Sequence, residues 1–256
     1  MTAFLASVSS LHEAQLVADV ADVVDLKDPH AGSLGALDGE RITEIVKWSA
    51  GRYVLSAALG DLPMRPQLIA DACGAMAASG VDFVKIGLFP DSAARACIHA
   101  AGTGRRQAAL VGVLFADRVP DMSLLDDMAS VGFAGVMLDT ADKRSGTLLD
   151  CLVEKSLSVF VARAHALGLF TGLAGSLRES DLETVVRCRP DFVGFRGALC
   201  DGHERRGRLS RERALALRAQ IERRGADRSS TMDRIRRAHG TRTTCVPGDS
   251  LAGVAS

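Results

Sequence analysis

Short apolar runs alternate along the chain with longer segments in which apolar residues recur every three or four positions. The runs are AFLASV (3–8), DVVDLK (22–27), RYVLSAA (52–58), DFVKIG (82–87), QAALVGVLF (107–115), AGVMLDT (134–140), GLFTGLA (168–174) and DFVGFRG (191–197). Their length and their β-branched and aromatic content suit strands. Between them, Leu16, Val17 and Val20 share one face, as do Met122, Leu125 and Met128, and Ala214, Leu217 and Ile221, which predicts amphipathic helices. Strands that are apolar on both faces belong in a parallel sheet covered by helices. Eight repeats of this kind predict the α/β class and a closed (β/α)8 TIM barrel. The rival is an open doubly wound sheet, which usually carries GxGxxG after its first strand. Here SVSSLHEA follows instead and reads as a helix cap with Glu13 in the first turn.

The pattern changes near residue 224. A single barrel is expected over 1–224. The Arg-, Ser-, Thr- and Gly-rich stretch 225–256 reads as a flexible C-terminal tail with one short helix around Met232 to Ala238.

Composition narrows the function classes. The chain has 256 residues, 47% of them apolar, enough for one large core. Lys+Arg and Asp+Glu are both 31, so the net charge of +0 gives no reason to expect nucleic acid or an acidic membrane surface. Aromatics, at 4%, are too few for base-stacking platforms. The six cysteines form no CxxC pair and read as small buried hydrophobes in a reducing compartment. MTAFLASVSS has no basic leader region, and no apolar run approaches a membrane span, so a cytoplasmic protein is expected. The histidines lack HxH or HExxH spacing, so no metal is expected; His30 and His203 fall in loops on the active face.

Barrel active sites form where the strands end. The second run ends with Asp25 and Lys27, two residues apart and therefore on one face. The fourth contains Lys85, the sixth Asp139, and Lys143 lies in the loop after it. Asp117 and Arg118 follow the fifth run. Lysine is rarely buried without a purpose. Amines gathered in a dry pocket lower each other's pKa, and a neutral lysine attacks carbonyls to form a Schiff base. Asp25 and Asp139 would orient the amines or move protons. The plainer alternative is a set of Asp–Lys pairs that stiffens the barrel. After the seventh and eighth runs, AGSL with Gly175 and Ser176, and FRGALC with Arg196 and Gly197, stand where such barrels often bind phosphate. Gly32, Ser33 and Gly35, and GDLP at 60–63, suggest further anion nests or plain turns.

The stretches DVVDLKDPHAGSLGA, SAALGDLP, GVDFVKIGL, VMLDTADK, LAGSL and GFRGALC, in this order, resemble the (5-formylfuran-3-yl)methyl phosphate synthase family. The resemblance covers nearly the whole barrel and stops near residue 224. It implies an enzyme that condenses two molecules of glyceraldehyde 3-phosphate into a phosphorylated furan aldehyde for methanofuran-type cofactors. It implies Lys27 as the Schiff-base residue and Lys85 as the proton-transfer residue. Asp25, Asp139 and Lys143 match further polar residues of the pocket. A triose phosphate is then the partner, with no cofactor, no nucleic acid and no membrane, and with room left for a homo-oligomer. Other readings are another class I aldolase acting on a triose phosphate, or a barrel that binds a phosphosugar without catalysis.

Overall fold

Continuous apolar runs demand strands buried along their whole length, and the computed structural model, which describes residues 2–103, 107–142 and 146–224, has eight of them. They are β1 (Ala3–Val8), β2 (Val23–Leu26), β3 (Leu55–Ala58), β4 (Phe83–Leu88), β5 (Ala109–Phe115), β6 (Gly135–Asp139), β7 (Phe170–Leu173) and β8 (Phe192–Phe195). All pair in parallel in chain order, and β1 pairs with β8 to close the barrel. Helices α1 (Leu11–Val17), α2 (Gly39–Ser49), α3 (Pro66–Ala78), α4 (Ala94–Gly102) and α5 (Leu124–Ser130) follow β1 to β5 in turn. After β6 come α6 (Leu148–Cys151) and α7 (Glu154–Ala166); α8 (Leu182–Arg187) follows β7 and α9 (Arg211–Arg224) follows β8. The C-terminal stretch 225–256, with its expected short helix, lies outside the described residues.

Several expected strands begin late or end early, for local reasons. The third starts at Leu55, not Arg52, because Arg52 caps the preceding helix. Its guanidinium donates to the Trp48 and Ser49 carbonyls and lies over the Trp48 and Tyr53 rings. Helix starts follow capping chemistry. Ser10 Oγ accepts from the Glu13 N–H at 3.2 Å, and Glu13 Oε2 accepts from the Ser9 N–H at 2.7 Å.

The core has two parts. The larger lies between strands and helices. The smaller fills the barrel, where Phe170 meets Phe83 and Phe192 edge-on at centroid distances of 5.6 and 5.0 Å. These rings plug the lower barrel, so polar groups on the inward face gather at the upper end. Four cysteines, Cys73, Cys97, Cys188 and Cys200, are buried as small hydrophobes. No described helix is long and apolar enough to cross a membrane.

Candidate active site

Register places the charged cluster. Parallel partners on neighbouring strands share a face, so the alignment of Ser7, Asp25 and Ser56 puts all three inside the barrel. Asp25 is fully buried, and its carboxylate accepts from Ser7 Oγ at 2.9 Å and Ser56 Oγ at 2.7 Å. Lys85 stands opposite Ala58 on β3, and its Nζ lies 2.5 Å from Asp25 Oδ1. Burial holds the Lys85 amine below its ordinary 10.5; Asp25 opposes this shift and the Lys27 charge reinforces it.

Lys27 lies just past β2, and its Nζ sits 3.2 Å from Oδ2 of Asp139, the last residue of β6. Asp139 Oδ1 also accepts the Thr140 N–H at 2.7 Å. Asp25, Lys27, Lys85 and Asp139 thus line one cavity of about 290 Å³ inside the barrel mouth. Lys143 lies outside the described residues.

The loop after Lys27 is not an open anion nest. Its Ser33 and Leu34 N–H groups are taken by the Asp61 carboxylate, at 2.6 and 2.9 Å, and Asp61 belongs to the GDLP turn. Gly32 is required there: its φ is +96°, and a Cβ would stand 2.3 Å from Asp61 Oδ2. Asp117 grips the loop after β6 in the same way, accepting from the Ala141 and Asp142 N–H groups at 2.7 and 2.8 Å. Ser33 Oγ then donates to the Ala141 carbonyl at 2.9 Å and ties the two loops together. Leu34 dips into the barrel, where a Cβ on Gly87 would meet it at 2.9 Å. The β3–β5 side of the mouth is therefore plugged, and the cavity opens towards β7 and β8.

On that side, Gly175 (φ +111°) and Ser176 (φ +50°) turn the chain sharply. The N–H groups of Ser176, Leu177, Gly197 and Ala198 have no acceptor among the described residues, and all four residues line the cavity. Arg196 lines it too, but its guanidinium is committed. It holds Glu13 at 2.6 and 3.0 Å and donates to the Ser7 and Arg205 carbonyls. Glu13, expected only as a capping residue, is thus the counter-ion of Arg196, and that ion pair lowers its pKa against the effect of burial. His203 lines the cavity, whereas His30 is exposed outside it.

Pattern reading missed Ser7, Ser56 and Arg205. The two serines carry one detectable signal, their inward parity within otherwise apolar strands. Arg205 sits in ERRGR (204–208), where nothing in the pattern marks which arginine turns inward. Its Nη2 donates to the Gly32 carbonyl at 2.9 Å, so the loop after β8 touches the loop after β2 across the mouth. No cluster of three or more potential metal ligands occurs among the described residues.

A family model described as 4-HFC-P synthase matches residues 4–218. The chain belongs to this family. A (5-formylfuran-3-yl)methyl phosphate synthase of Methanopyrus kandleri is 35% identical over 214 residues, covering 77% of this chain and 90% of the relative. The Methanocaldococcus jannaschii protein of that name is 32% identical over 224 residues, covering 80% and 92%. A Methylorubrum extorquens protein, whose synthase name is provisional, is 42% identical over 190 residues, covering 74% and 78%. Solved structures share the barrel. A 3-hexulose-6-phosphate synthase superposes with a TM-score of 0.63 at 16% identity, over 86% of this chain and all (100%) of its own. Phosphoribosyl anthranilate isomerase of Thermus thermophilus gives 0.62 at 17% identity, over 87% and 99%. The 4-HFC-P synthase family match and the named synthases make the chain an enzyme of that family, and its two lysines and two aspartates meet in one pocket.

Proposed function

We propose that the chain condenses two molecules of glyceraldehyde 3-phosphate into (5-formylfuran-3-yl)methyl phosphate, through a Schiff base on Lys27. The reaction is lyase- or aldolase-like and serves methanofuran-type cofactor synthesis in the cytoplasm. The observation that carries the reading is a pair of lysine–aspartate contacts in one pocket, one deep and one at the mouth. Two trioses contain the atoms of the product plus one phosphate and two waters, so no oxidant is needed.

Lys27 is the nucleophile because its side chain is the more accessible amine, at 10% exposure against 5% for Lys85. It adds to a triose carbonyl, and Asp139 takes the proton that the amine gives up. Asp139 returns this proton to the departing hydroxyl, which leaves as water, and the regenerated carboxylate faces the iminium charge. Lys85, whose protonated form burial disfavours, removes the α-proton, and the iminium stores the electrons as an enamine. The enamine carbon attacks the aldehyde of the second triose. Loss of one phosphate and two waters, with closure through oxygen, gives the ring, and hydrolysis, using the water released when the iminium formed, frees Lys27. Asp25, fixed by Ser7 and Ser56, holds Lys85 in place. The N–H groups around Ser176 and Gly197 hold one phosphate, with Arg196 behind them bracing the loop through Glu13. Lys143, which lies outside the described residues, is a further candidate amine for the reaction.

The test is borohydride reduction in the presence of glyceraldehyde 3-phosphate. A stable adduct should map to Lys27 and vanish in Lys27→Ala. Equal trapping in that variant would refute the assignment. Incubation with glyceraldehyde 3-phosphate alone should give a product that absorbs in the near ultraviolet, as a furan aldehyde does; a simple aldolase product would not.

A further inference from the structure

We propose that Arg205 anchors the phosphate of the second triose. The inference rests on the two-triose reading above and locates its other anion. Two phosphates must occupy the pocket together, and the N–H groups of the β7 and β8 loops cradle one. The charges of Lys27 and Lys85 are matched by Asp139 and Asp25.

Among the described residues, three arginines line the cavity: Arg178, Arg196 and Arg205. Arg196 is neutralised by Glu13, and Arg178 is exposed at the rim. Arg205 is half-buried, and the acceptor of its guanidinium is the neutral carbonyl of Gly32. No carboxylate pairs with it among the described residues. Asp139 and Asp61 attract it only through space, and a semi-buried guanidinium with no carboxylate in contact is suited to an anion from outside. Of its five N–H donors, one goes to Gly32, which leaves a fork suited to phosphate.

The mounting fits the task. The turn that carries Arg205 is pinned at its base by the bridge between Cys200 and Leu209, and the Asp201 N–H donates to the Arg208 carbonyl at 2.9 Å. Arg196 Nε holds the Arg205 carbonyl at 2.8 Å. On the far side, Asp61 fixes the loop that presents Gly32. The guanidinium therefore ends beside the β2 loop, three strands round the barrel from Ser176 on the β7 loop. Two phosphates held at these places would flank the Lys27–Asp139 pair. Asp139 and Arg205 line the same cavity.

Calorimetric titration of the full chain with inorganic phosphate tests this. The wild type should show two binding events and Arg205→Gln one, with unchanged circular dichroism. In Arg205→Gln the half-saturating glyceraldehyde 3-phosphate for furan formation should rise by about ten- to a hundredfold, as expected for loss of a charge-assisted hydrogen bond. Borohydride trapping of the first triose on Lys27 should persist. A single event in the wild type, or two in Arg205→Gln, overturns the proposal. If Arg205→Gln does not fold, Arg205→Lys decides: a weakened second event supports the site and an unchanged one removes it. A wild type that binds two phosphates but makes no furan discards the reaction and keeps the site. Wild-type furan kinetics in Arg205→Gln discard the site and keep the reaction.

Discussion

The two lysine–aspartate pairs of the pocket have the same chemistry and different surroundings. Asp25 and Lys85 meet at 2.5 Å on the inward face of β2 and β4, and serines from β1 and β3 saturate the carboxylate. Lys27 and Asp139 meet at 3.2 Å across the mouth, beyond the end of β2. A buried pair is stable only when further hydrogen bonds satisfy it, which the deep pair achieves with strand-borne groups that cannot move apart. In the proposed mechanism Lys27 must leave Asp139 to meet a carbonyl, and the longer contact of the mouth pair fits that role. Rigid placement suits the proposed base, and looser placement the proposed nucleophile.

Breaking the deep pair should cost most. Asp25→Ala leaves the buried Lys85 ammonium with its carboxylate gone, and urea unfolding should show a loss of about 3–5 kcal/mol, with furan formation abolished. A loss near that of an exposed residue would mean that Lys85 swings out to water. Lys85→Met removes the amine and keeps the bulk; product formation should fall by roughly 10²–10⁴-fold while the Lys27 adduct still traps. If trapping disappears as well, the two lysines do not have separate roles.

Ser56→Ala removes one donor from a buried carboxylate, and a loss of about 1.5–3 kcal/mol is expected from denaturant titration. Asp139→Asn keeps a polar partner for Lys27 at the mouth, so its stability change should stay within about 1 kcal/mol even as adduct formation slows. The reverse order of these two stabilities would invalidate the contrast.

The gentlest probe is pH. The folded pKa of Lys85 lies below the ordinary 10.5. Between those two values the unfolded chain holds a proton that the folded chain has released. The Lys85 contribution to stability therefore rises with pH across that window, having been least favourable below it. Unfolding free energies measured through the window in the wild type and in Lys85→Met should differ in slope, the wild type being steeper.

Much of this was legible in the pattern of residues. Eight apolar runs specify the barrel, because strands buried on both faces have few other homes. The i, i+2 spacing of Asp25 and Lys27 puts both on the inward face, and the strand-end rule brings in Asp139; Lys85, expected at a strand end too, is the third residue of β4 and lies deeper. Partners contributed by distant segments were not legible. Glu13 and Arg196 are separated by 183 positions, and their meeting depends on β1 pairing with β8. The loop after β2 has the glycines of an anion nest, yet its anion is the chain's own Asp61, a fact of tertiary contact that local pattern does not encode. Strand ends also blurred wherever a side chain such as Arg52 had better use as a helix cap.

The ring of strands also has an unequal division of labour. Ser7, Asp25, Lys27, Ser56 and Lys85 all come from β1 to β4 and their ends. Asp139, the N–H groups near Ser176 and Gly197, and Arg205 come from β6 onwards. One half-barrel supplies the two amines, and the other supplies the mouth carboxylate, the open N–H groups and the arginine. Neither half carries the whole constellation, so the two sets face each other only once the first and last strands zip together.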